Sequence, residues 1–161
     1  MCKFDFVEIK KMGKLEQDLK QKKFNNEVIK ANINILFTAN FIYNQISSYL
    51  KPYDLTHEQF NVLRILRGKY PECMCQKDVL SRMVAPKSNL TLIVKKLVAK
   101  KLIAVLQSPK DKREYEISIT ELGLEKLKIL DTELIKQDHN ITKLTENEAI
   151  QLNELLDKIR S

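Results

Sequence analysis

The chain has 161 residues, of which 43% are hydrophobic and 30% charged, and its formal net charge is +7 at neutral pH. This length and hydrophobic content suffice for one globular domain with a core. The sequence contains no apolar run that approaches the roughly 20 residues needed to span a bilayer. It also lacks the features of a signal peptide. The three cysteines, an odd number, do not suggest a disulfide framework. We therefore expect a cytoplasmic protein without a membrane partner.

The positive charge is concentrated in one part of the sequence. Residues 77–113 contain ten basic and two acidic residues, whereas residues 114–161 contain six basic and eleven acidic residues. A charge that served only solubility would not be segregated in this way. A compact positive segment is what a surface that binds a polyanion needs, because each neutralised phosphate releases counterions. The charge pattern therefore favours a nucleic-acid partner.

The first third of the chain is predicted to be helical. Residues 5–24 carry scattered helical signals and are interpreted as a helical extension. Residues 25–50 predict one long helix, whose apolar residues are too widely spread for a single face and indicate burial against more than one neighbour. Pro52 ends this helix, because proline disfavours helix at the residue before it.

Three shorter helices are predicted next. Thr56 is a predicted N-cap, with Gln59 at the capping-box position, for a helix that stops at Gly68. A second helix covers residues 76–83 and, after a tight connection, a third covers residues 86–101. Two helices joined by so short a turn, the second of them amphipathic, form a helix-turn-helix pattern.

The helix predicted over residues 86–101 has two different faces. One follows the i, i+3, i+4, i+7 spacing of a core-facing helix and comprises Leu90, Ile93, Val94, Leu97 and Val98. The other carries short polar residues at its amino end and lysines further on: Ser88, Asn89, Thr91, Lys95 and Lys96. In a DNA major groove, such polar groups reach base edges and lysines reach phosphates. A solvated lysine-rich helix is the simpler interpretation of this face taken alone.

A β-hairpin is predicted after these helices. Residues 102–106 and 114–119 have the character of two short strands, and the second alternates polar and apolar residues with a period of two. Between them lies a basic, turn-like run over residues 108–113. Together these segments predict a wing, meaning a β-hairpin with a basic tip.

Two helices are predicted at the carboxy-terminal end. Thr120 is a predicted cap for a helix that reaches about His139, and Thr145 with Glu148 is a second capping box. The fold class is therefore mainly α with a small β-hairpin, a winged helix-turn-helix core flanked by N- and C-terminal dimerisation helices. The outer helices are rich in apolar residues, and pairing with a second copy is the economical way to bury them.

Five runs, in this order, resemble the MarR family of transcriptional regulators. They are LTHEQFNVLRILRG (55–68), CQKDVLSRM (75–83), PKSNLTLIVKKLVAKKLI (86–103), SPKDKR (108–113) and ISITELG (117–123). The resemblance implies a homodimer that binds a pseudo-palindromic operator in double-stranded DNA, with repression as the direction typical of the family. It implies dimerisation helices in residues 1–54 and 120–161 and a DNA-binding lobe in residues 55–119, all in one structural domain.

By position, the resemblance implies DNA contacts from Lys87, Ser88, Asn89, Thr91, Leu92, Lys95, Lys96, Lys110, Asp111, Lys112 and Arg113. In the wing, Asp111 and Arg113 match an Asp-x-Arg pattern in which the arginine enters the minor groove and the aspartate holds the wing. Three residues depart from the family: Leu92 and Val105 stand where arginine is common, and Lys101 where glycine is common. Leu92 is either plain variation or an apolar contact to a thymine methyl group.

Neither a catalytic site nor a metal site is predicted. His57 and His139 fall in different helices without a carboxylate or cysteine at ligand spacing. The sequence contains no phosphate loop and no GxSxG or HExxH motif. We therefore expect no enzyme activity, no cofactor and no bound metal.

Two features are candidates for regulation. Cys73 and Cys75 precede the helix-turn-helix, where their oxidation would tilt the recognition helix; two small residues at an edge or cap are the simpler interpretation. The resemblance also implies a small-molecule effector in a pocket between the dimer helices and the DNA-binding lobe. Candidate lining residues are Phe37, Phe41, Tyr43, Tyr49, Tyr53 and His57, for which core packing is the simpler interpretation.

Two other functions stay open on the sequence alone. One is a protein-interaction module that uses the winged-helix shape without DNA. The other is a nucleoid-type DNA binder with little sequence preference. Discrimination between a selected duplex and random duplex separates these from a sequence-specific regulator.

Overall fold

A computed structural model of the chain describes residues 14–84, 89–108, 114–136 and 142–161. The elements are α1 (Lys14–Asp18), α2 (Glu27–Leu50), a 3-10 turn (Lys51–Tyr53), α3 (His57–Arg67), β1 (Met74–Cys75), α4 (Gln76–Arg82), α5 (Leu90–Ala99), β2 (Ile103–Gln107), β3 (Tyr115–Ile119), α6 (Glu121–Lys136) and α7 (Glu146–Arg160). The mainly helical fold class is therefore confirmed. In these parts of the chain, the helices are too short or too polar to cross a membrane.

The chain divides into two compact units, Met1–Ile42 and Tyr43–Ser161. In the first unit, Leu15 and Phe24 are buried. The Nζ atom of Lys30 lies 2.6 Å from Oε1 of Glu16 and 5.9 Å from the ring centre of Phe24. The hydrogen bond between Lys30 and Glu16 lowers the pKa of the Glu16 carboxyl and raises the pKa of the Lys30 ammonium.

The second unit contains a three-stranded antiparallel sheet in the order β1-β3-β2. The predicted strand pair of the wing is confirmed, because β2 and β3 pair directly, with Ile103 opposite Ile119 and Val105 opposite Ile117; residues 109–113 of its predicted basic tip lie outside the described residues. The strand β1 was not predicted from the sequence. It pairs with the other edge of β3 and places Met74 opposite Ile117.

The core of the second unit lies between the sheet and the helices α3, α4, α5 and α6. Its fully buried side chains come from these elements and from the end of α2, and are Leu50, Val62, Leu63, Leu66, Val79, Leu97, Ile117, Leu127 and Leu130. The predicted capping box at the start of α3 is confirmed, since the Thr56 side chain accepts from the Gln59 backbone and the Gln59 side chain accepts from the Thr56 N–H. The shared apolar core thus fixes the position of α5 relative to the strands of the wing.

Gly123 marks a close approach at the start of α6. A Cβ atom added there would lie 2.3 Å from the carbonyl oxygen of Leu102 and 2.7 Å from Cγ1 of Ile119. The backbone between α5 and β2 therefore packs directly against the first turn of α6. A hydrogen bond from the Thr120 hydroxyl to the Lys101 carbonyl oxygen, at 2.8 Å, holds the same junction.

The helix predicted over residues 86–101 is shorter than expected. In the structure α5 begins at Leu90, and Asn89 precedes it as the N-cap because its side chain accepts a hydrogen bond from the Leu92 N–H. Pro86 lies outside the described residues. The assignment of Val98 to the buried stripe was wrong: Val98 is 42% exposed, because it lies at the margin of the core-facing side, about 90° from its centre at 100° per residue.

The last helix, α7, follows its predicted capping box. The Thr145 side chain accepts from the Glu148 N–H, and the Glu148 carboxylate accepts from the Thr145 N–H at 2.8 Å. These hydrogen bonds lower the pKa of the Glu148 carboxyl. The apolar residues of α7 are largely exposed in the single chain: Ile150, Leu152, Leu155 and Ile159.

Candidate DNA-binding surface

The helix α5 is anchored by one face and exposes the other. Its buried side chains are Leu90, Ile93, Val94 and Leu97. Its exposed side chains include Thr91, Leu92, Lys95 and Lys96. At 100° per residue, Leu92 and Lys95 each point about 150° away from the mean direction of the four buried residues. These two side chains therefore stand near the middle of the surface that α5 offers to a partner.

Asn89 has a structural role in addition to its predicted contact role. Its Oδ1 atom accepts the hydrogen bond from the Leu92 N–H at 3.1 Å, which satisfies one of the free donors at the amino end of α5. One lone pair of the side-chain carbonyl is therefore used by the backbone. The side-chain amide remains as a donor for a partner.

A hollow of about 330 Å³ separates the beginning of α3 from the exposed side of α5. It is lined by Thr56, Glu58, Gln59, Asn89, Leu92, Ile93 and Lys96. Leu92 is 48% exposed and forms part of this wall. The surface around the first turn of α5 therefore combines apolar carbon with hydrogen-bonding groups.

Gln59 and Lys100 connect α3 to the end of α5, and sequence reasoning gave neither residue this role. Gln59 is only 2% exposed. Its Oε1 atom accepts from the Thr56 N–H at 3.2 Å and from Nζ of Lys100 at 3.3 Å. Lys100 Nζ also lies 3.0 Å from Oδ2 of Asp54. Among the lysines at this surface, Lys100 is thus occupied within the protein, whereas Lys95 and Lys96 form no ion pair with the described residues.

Ser108 joins the two strands of the wing at the end next to the tip. Its N–H donates to the Glu114 carbonyl oxygen at 2.9 Å, and its hydroxyl donates to Oε1 of Glu116 at 2.9 Å.

Val105, which stands where the family commonly has arginine, packs against the core from β2. Six predicted contact residues lie outside the described part of the chain: Lys87, Ser88, Lys110, Asp111, Lys112 and Arg113.

The two cysteines lie at the edge of the sheet. Both are free thiols; Cys73 is exposed and Cys75 is half-buried. Cys75 pairs with Glu116 in the sheet and is the residue immediately before α4. A change at Cys75 would therefore act on the first helix of the helix-turn-helix.

The aromatic residues proposed for a ligand pocket occupy different local settings. Phe37 and Phe41 belong to the first unit and line a hollow of about 370 Å³ there. Tyr43 and His57 are in ring contact, with centres 5.0 Å apart. Tyr49 and Tyr53 are also in ring contact, at 5.7 Å, and pack against the core of the second unit. A common pocket for all six stays a prediction.

The described ranges are residues 14–84, 89–108, 114–136 and 142–161. These contain no group of three His, Cys, Asp or Glu side chains that would hold a metal ion. His57 lies at the start of α3 beside Tyr43, and His139 falls outside the described residues.

Comparison with known proteins agrees with the winged-helix geometry. Residues 55–115 match the model of the MarR family. The transcriptional regulator SarZ of Staphylococcus aureus is 30% identical over 100 residues, which cover 61% of this chain and 66% of SarZ. This chain is thus similar to the MarR family of transcriptional regulators across its winged helix-turn-helix. The match extends over slightly less than two thirds of SarZ.

Solved structures of the family resemble most of the chain. A mutant of MarR from E. coli, complexed with operator DNA, is 25% identical and superposes with a TM-score of 0.74 over 86% of this chain and 99% of that one. The S. aureus MepR–DNA complex is 19% identical, with a TM-score of 0.70 over 80% of this chain and 94% of that one, and indicates the fold alone. The winged helix-turn-helix of the second unit is therefore the fold of this family.

Proposed function

We propose that the protein regulates transcription by binding a pseudo-palindromic operator as a homodimer, with α5 in the major groove and the wing in the adjacent minor groove. The observation that carries this proposal is the exposed face of α5. It presents Thr91, Leu92, Lys95 and Lys96 on a helix whose other face is locked into the core. A helix anchored by its buried face, with short polar residues at its amino end and exposed lysines, is suited to major-groove reading.

Electrostatics supports DNA as the partner. Ten basic residues against two acidic ones fall in residues 77–113, and Lys95 and Lys96 have exposed side chains on α5. Lysines that form no ion pair within the described part of the chain are available to neutralise phosphates, and each such contact adds about 0.9 to the slope of log affinity against log salt. The similar MarR structure from E. coli is itself a complex with operator DNA.

The proposed contacts separate into two groups. On α5 they are Asn89, Thr91, Leu92, Lys95 and Lys96, with Lys87 and Ser88 before it. On the wing they are Lys110, Asp111, Lys112 and Arg113. Ser108 and Glu114 join the two wing strands at 2.9 Å, immediately before and after the tip. This hydrogen bond joins the two described chain ends between which the tip residues lie.

Self-association is part of the proposal because of exposed apolar side chains. Val28, Leu36 and Phe41 of α2 are exposed in the single chain, and so are Leu155 and Ile159 of α7. Large exposed apolar side chains that recur along two helices favour an interface. A two-fold dimer would also present two copies of α5 to two half-sites of a pseudo-palindrome.

The test is selection of bound duplexes from a random library, followed by affinity measurements at several salt concentrations. We expect one pseudo-palindromic sequence to be enriched and to bind at least about a thousandfold more tightly than random duplex at physiological salt. Lys95→Ala and Lys96→Ala should each reduce the salt slope by about one per protomer. Lys128→Ala, an exposed lysine of α6, is the matched control and should leave the slope unchanged.

Two outcomes would replace the proposal by an alternative. Binding without enrichment of any sequence would indicate a nucleoid-type binder. The absence of binding even at low salt would indicate a protein-interaction module. In both cases a normal unfolding transition of the same sample establishes that the result concerns recognition and not folding.

Release by a small ligand or by oxidation forms the regulatory part of the proposal, and repression is the direction that the family resemblance implies. Support for oxidation comes from the exposed Cys73 and from Cys75, which lies between the sheet and α4. When the same experiment is repeated with peroxide, the oxidant should reduce operator binding reversibly. A Cys73→Ser, Cys75→Ser double variant should not respond, and an unaffected wild-type protein would end the redox part.

A further inference from the structure

The middle of the DNA-facing surface proposed for α5 is apolar. Leu92 is 48% exposed, and it points about 150° away from the mean direction of the buried side chains. It is the most outward side chain in the first turn of α5, where recognition helices contact base edges. Leu92 is exposed because of its outward position on the helix, and not because the core beneath it is incompletely packed.

The neighbours of Leu92 restrict what else this turn can read. The Asn89 carbonyl accepts from the Leu92 N–H at 3.1 Å, so one of its two lone pairs is used and the side chain is held as the N-cap, which makes it less free to adopt the paired carbonyl–amide geometry with which asparagine recognises adenine. Thr91 offers a hydroxyl and a methyl group, and the segment from 89 to 99 contains no arginine or glutamine. Polar reading by this turn therefore depends on Thr91 and on an Asn89 side chain that is already held by the backbone.

An apolar side chain in the major groove has one distinctive partner. Among the four bases, only thymine carries a methyl group, and it lies on the major-groove edge at C5. Leu92 stands beside a hollow of about 330 Å³ whose wall also contains Thr56 and Ile93. The apolar side chain of Leu92 is thus available to contact a methyl group. This contact requires no change in the packing of α5.

We infer that Leu92 reads the C5-methyl group of thymine, so that each operator half-site contains a thymine whose methyl group packs against this side chain. The inference rests on the proposed function, since it requires α5 in the major groove. It adds the base that the first turn selects and the chemical group by which it is selected. Lys95, equally outward one turn further on, then contributes a cationic contact to the same groove.

The test removes only the methyl group. In the operator selected for the wild-type protein, thymines are replaced one at a time by deoxyuridine, which retains base pairing and the O4 acceptor. Burial of one methyl group corresponds to about a fourfold change in affinity, and to about fifteenfold when both half-sites are changed. We expect this loss at one thymine per half-site.

The assignment to Leu92 is tested by two exposed apolar residues of the same helix. Leu92→Ala should bring the affinity ratio of the thymine and uracil duplexes close to one. Val98→Ala is the matched control, because Val98 is also exposed, at 42%, but lies to the side of the outward direction; it should keep the wild-type ratio. Leu92→Arg should shift the selected base at that position towards guanine, which arginine recognises.

The outcomes separate this inference from the proposed function. Specific binding with no methyl dependence at any thymine would overturn the inference and leave the proposed function intact. A methyl dependence that persists in Leu92→Ala would also overturn it, because another side chain would be the reader. If no duplex is enriched at all, the proposed function fails and the inference fails with it.

Discussion

Lys101 occupies backbone geometry that is normally left to glycine. Its φ angle is 59°, in the left-handed region. The reason is the helix end: the Lys101 N–H donates to the Val98 carbonyl oxygen at 2.8 Å, and the Leu102 N–H donates to the Leu97 carbonyl oxygen at 3.1 Å. These two bonds form a Schellman motif, whose left-handed position favours glycine. The lysine that departs from the family pattern therefore has a strained backbone conformation, because its Cβ atom is unfavourable in the left-handed region.

We predict that Lys101→Gly stabilises the protein. Relief of the left-handed strain contributes about 1–2 kcal/mol, and the greater flexibility of glycine in the unfolded chain offsets part of it. The free energy of unfolding should rise by roughly 0.5–1 kcal/mol, measured by urea denaturation.

Lys101→Ala is the control for this prediction. It removes the charge and the long side chain but keeps the Cβ atom that causes the strain. It should therefore give no increase in stability. An equal gain in both variants would mean that the charge of Lys101, and not its backbone conformation, limits stability.

The residues of the candidate surface were predictable to different degrees. The outward positions of Leu92, Lys95 and Lys96 follow from helical periodicity, which is a local property of the sequence. The diversion of Lys100 into the protein does not, because its partner oxygens on Asp54 and Gln59 lie 46 and 41 residues earlier in the chain. The charge of a segment is visible in the sequence, but the fraction of it that remains available to DNA depends on tertiary contacts.

At the scale of secondary structure, the helices and the wing were predicted and β1 was not. The helices carry either long periodic patterns or capping residues such as Thr56 and Thr145. β1 has only two residues, Met74 and Cys75, too few to establish an alternating pattern. Its identity as a strand depends on hydrogen bonding to β3, opposite Ile117 and Glu116. Such long-range pairing cannot be read from a local window.

A hydrogen bond between side chains joins the long helix α2 to the first turn of α3. The Tyr43 hydroxyl donates to Oε1 of Glu58 at 2.9 Å, and the Tyr43 ring contacts that of His57. Partial burial by itself raises the pKa of Glu58, but hydrogen bonds from its own backbone N–H and from Tyr43 hold it below the ordinary value. The Glu58 carboxylate in turn raises the pKa of the Tyr43 hydroxyl.

We predict that this link stabilises the protein only within a window of pH. Since the folded-state pKa of Glu58 is lowered, its contribution is present above the unfolded pKa, ordinarily 4.5, and is lost as pH falls through the folded value. Since the pKa of Tyr43 is raised, its contribution is present below about 10 and is lost as pH rises through the folded value. Tyr43→Phe should therefore lower the free energy of unfolding by about 0.5–1 kcal/mol near pH 7 and by less below pH about 4.

The measurement is urea denaturation of wild type and variant across this range of pH. Tyr115→Phe, which removes a hydroxyl from an exposed tyrosine of β3, is the control and should have no effect at any pH. A constant difference between Tyr43→Phe and wild type from pH 3 to pH 8 would contradict the prediction, because the effect would then come from ring packing and not from the carboxylate.

For the whole molecule, the distribution of charge and exposed carbon assigns different tasks to different parts of the chain. The basic residues 77–113 contain the proposed DNA-reading helix, whereas residues 114–161 carry eleven acidic and six basic residues. An acidic segment is repelled by DNA and is free to serve another contact. The apolar residues of α7 fall in this segment, which is why we assign self-association to it.

The apolar residues of α7 are arranged for a contact along one side. At 100° per residue, Leu152, Leu155, Leu156 and Ile159 fall within about 100° of one another, and Ile150 lies on the opposite side. Leu155 and Ile159 are 62% and 60% exposed in the single chain. A stripe of this width is typical of a helix that packs against a partner.

We predict that Leu155→Glu converts the protein from a dimer to a monomer. A charge placed on the stripe must be desolvated when the interface forms, and this cost opposes association. Analytical ultracentrifugation at micromolar concentration should give the mass of two chains for wild type and of one chain for the variant. Because a monomer contacts one half-site only, its salt slope for operator binding should fall to about half.

Ile150→Glu is the matched control for the dimer prediction, because it makes the same kind of change on the other side of the same helix. It should remain dimeric and keep the full salt slope. If Ile150→Glu dissociates the dimer and Leu155→Glu does not, α7 associates through its other face. If neither variant alters the mass of a wild-type dimer, the interface lies outside α7, and the exposed apolar residues of α2 become the next positions to change.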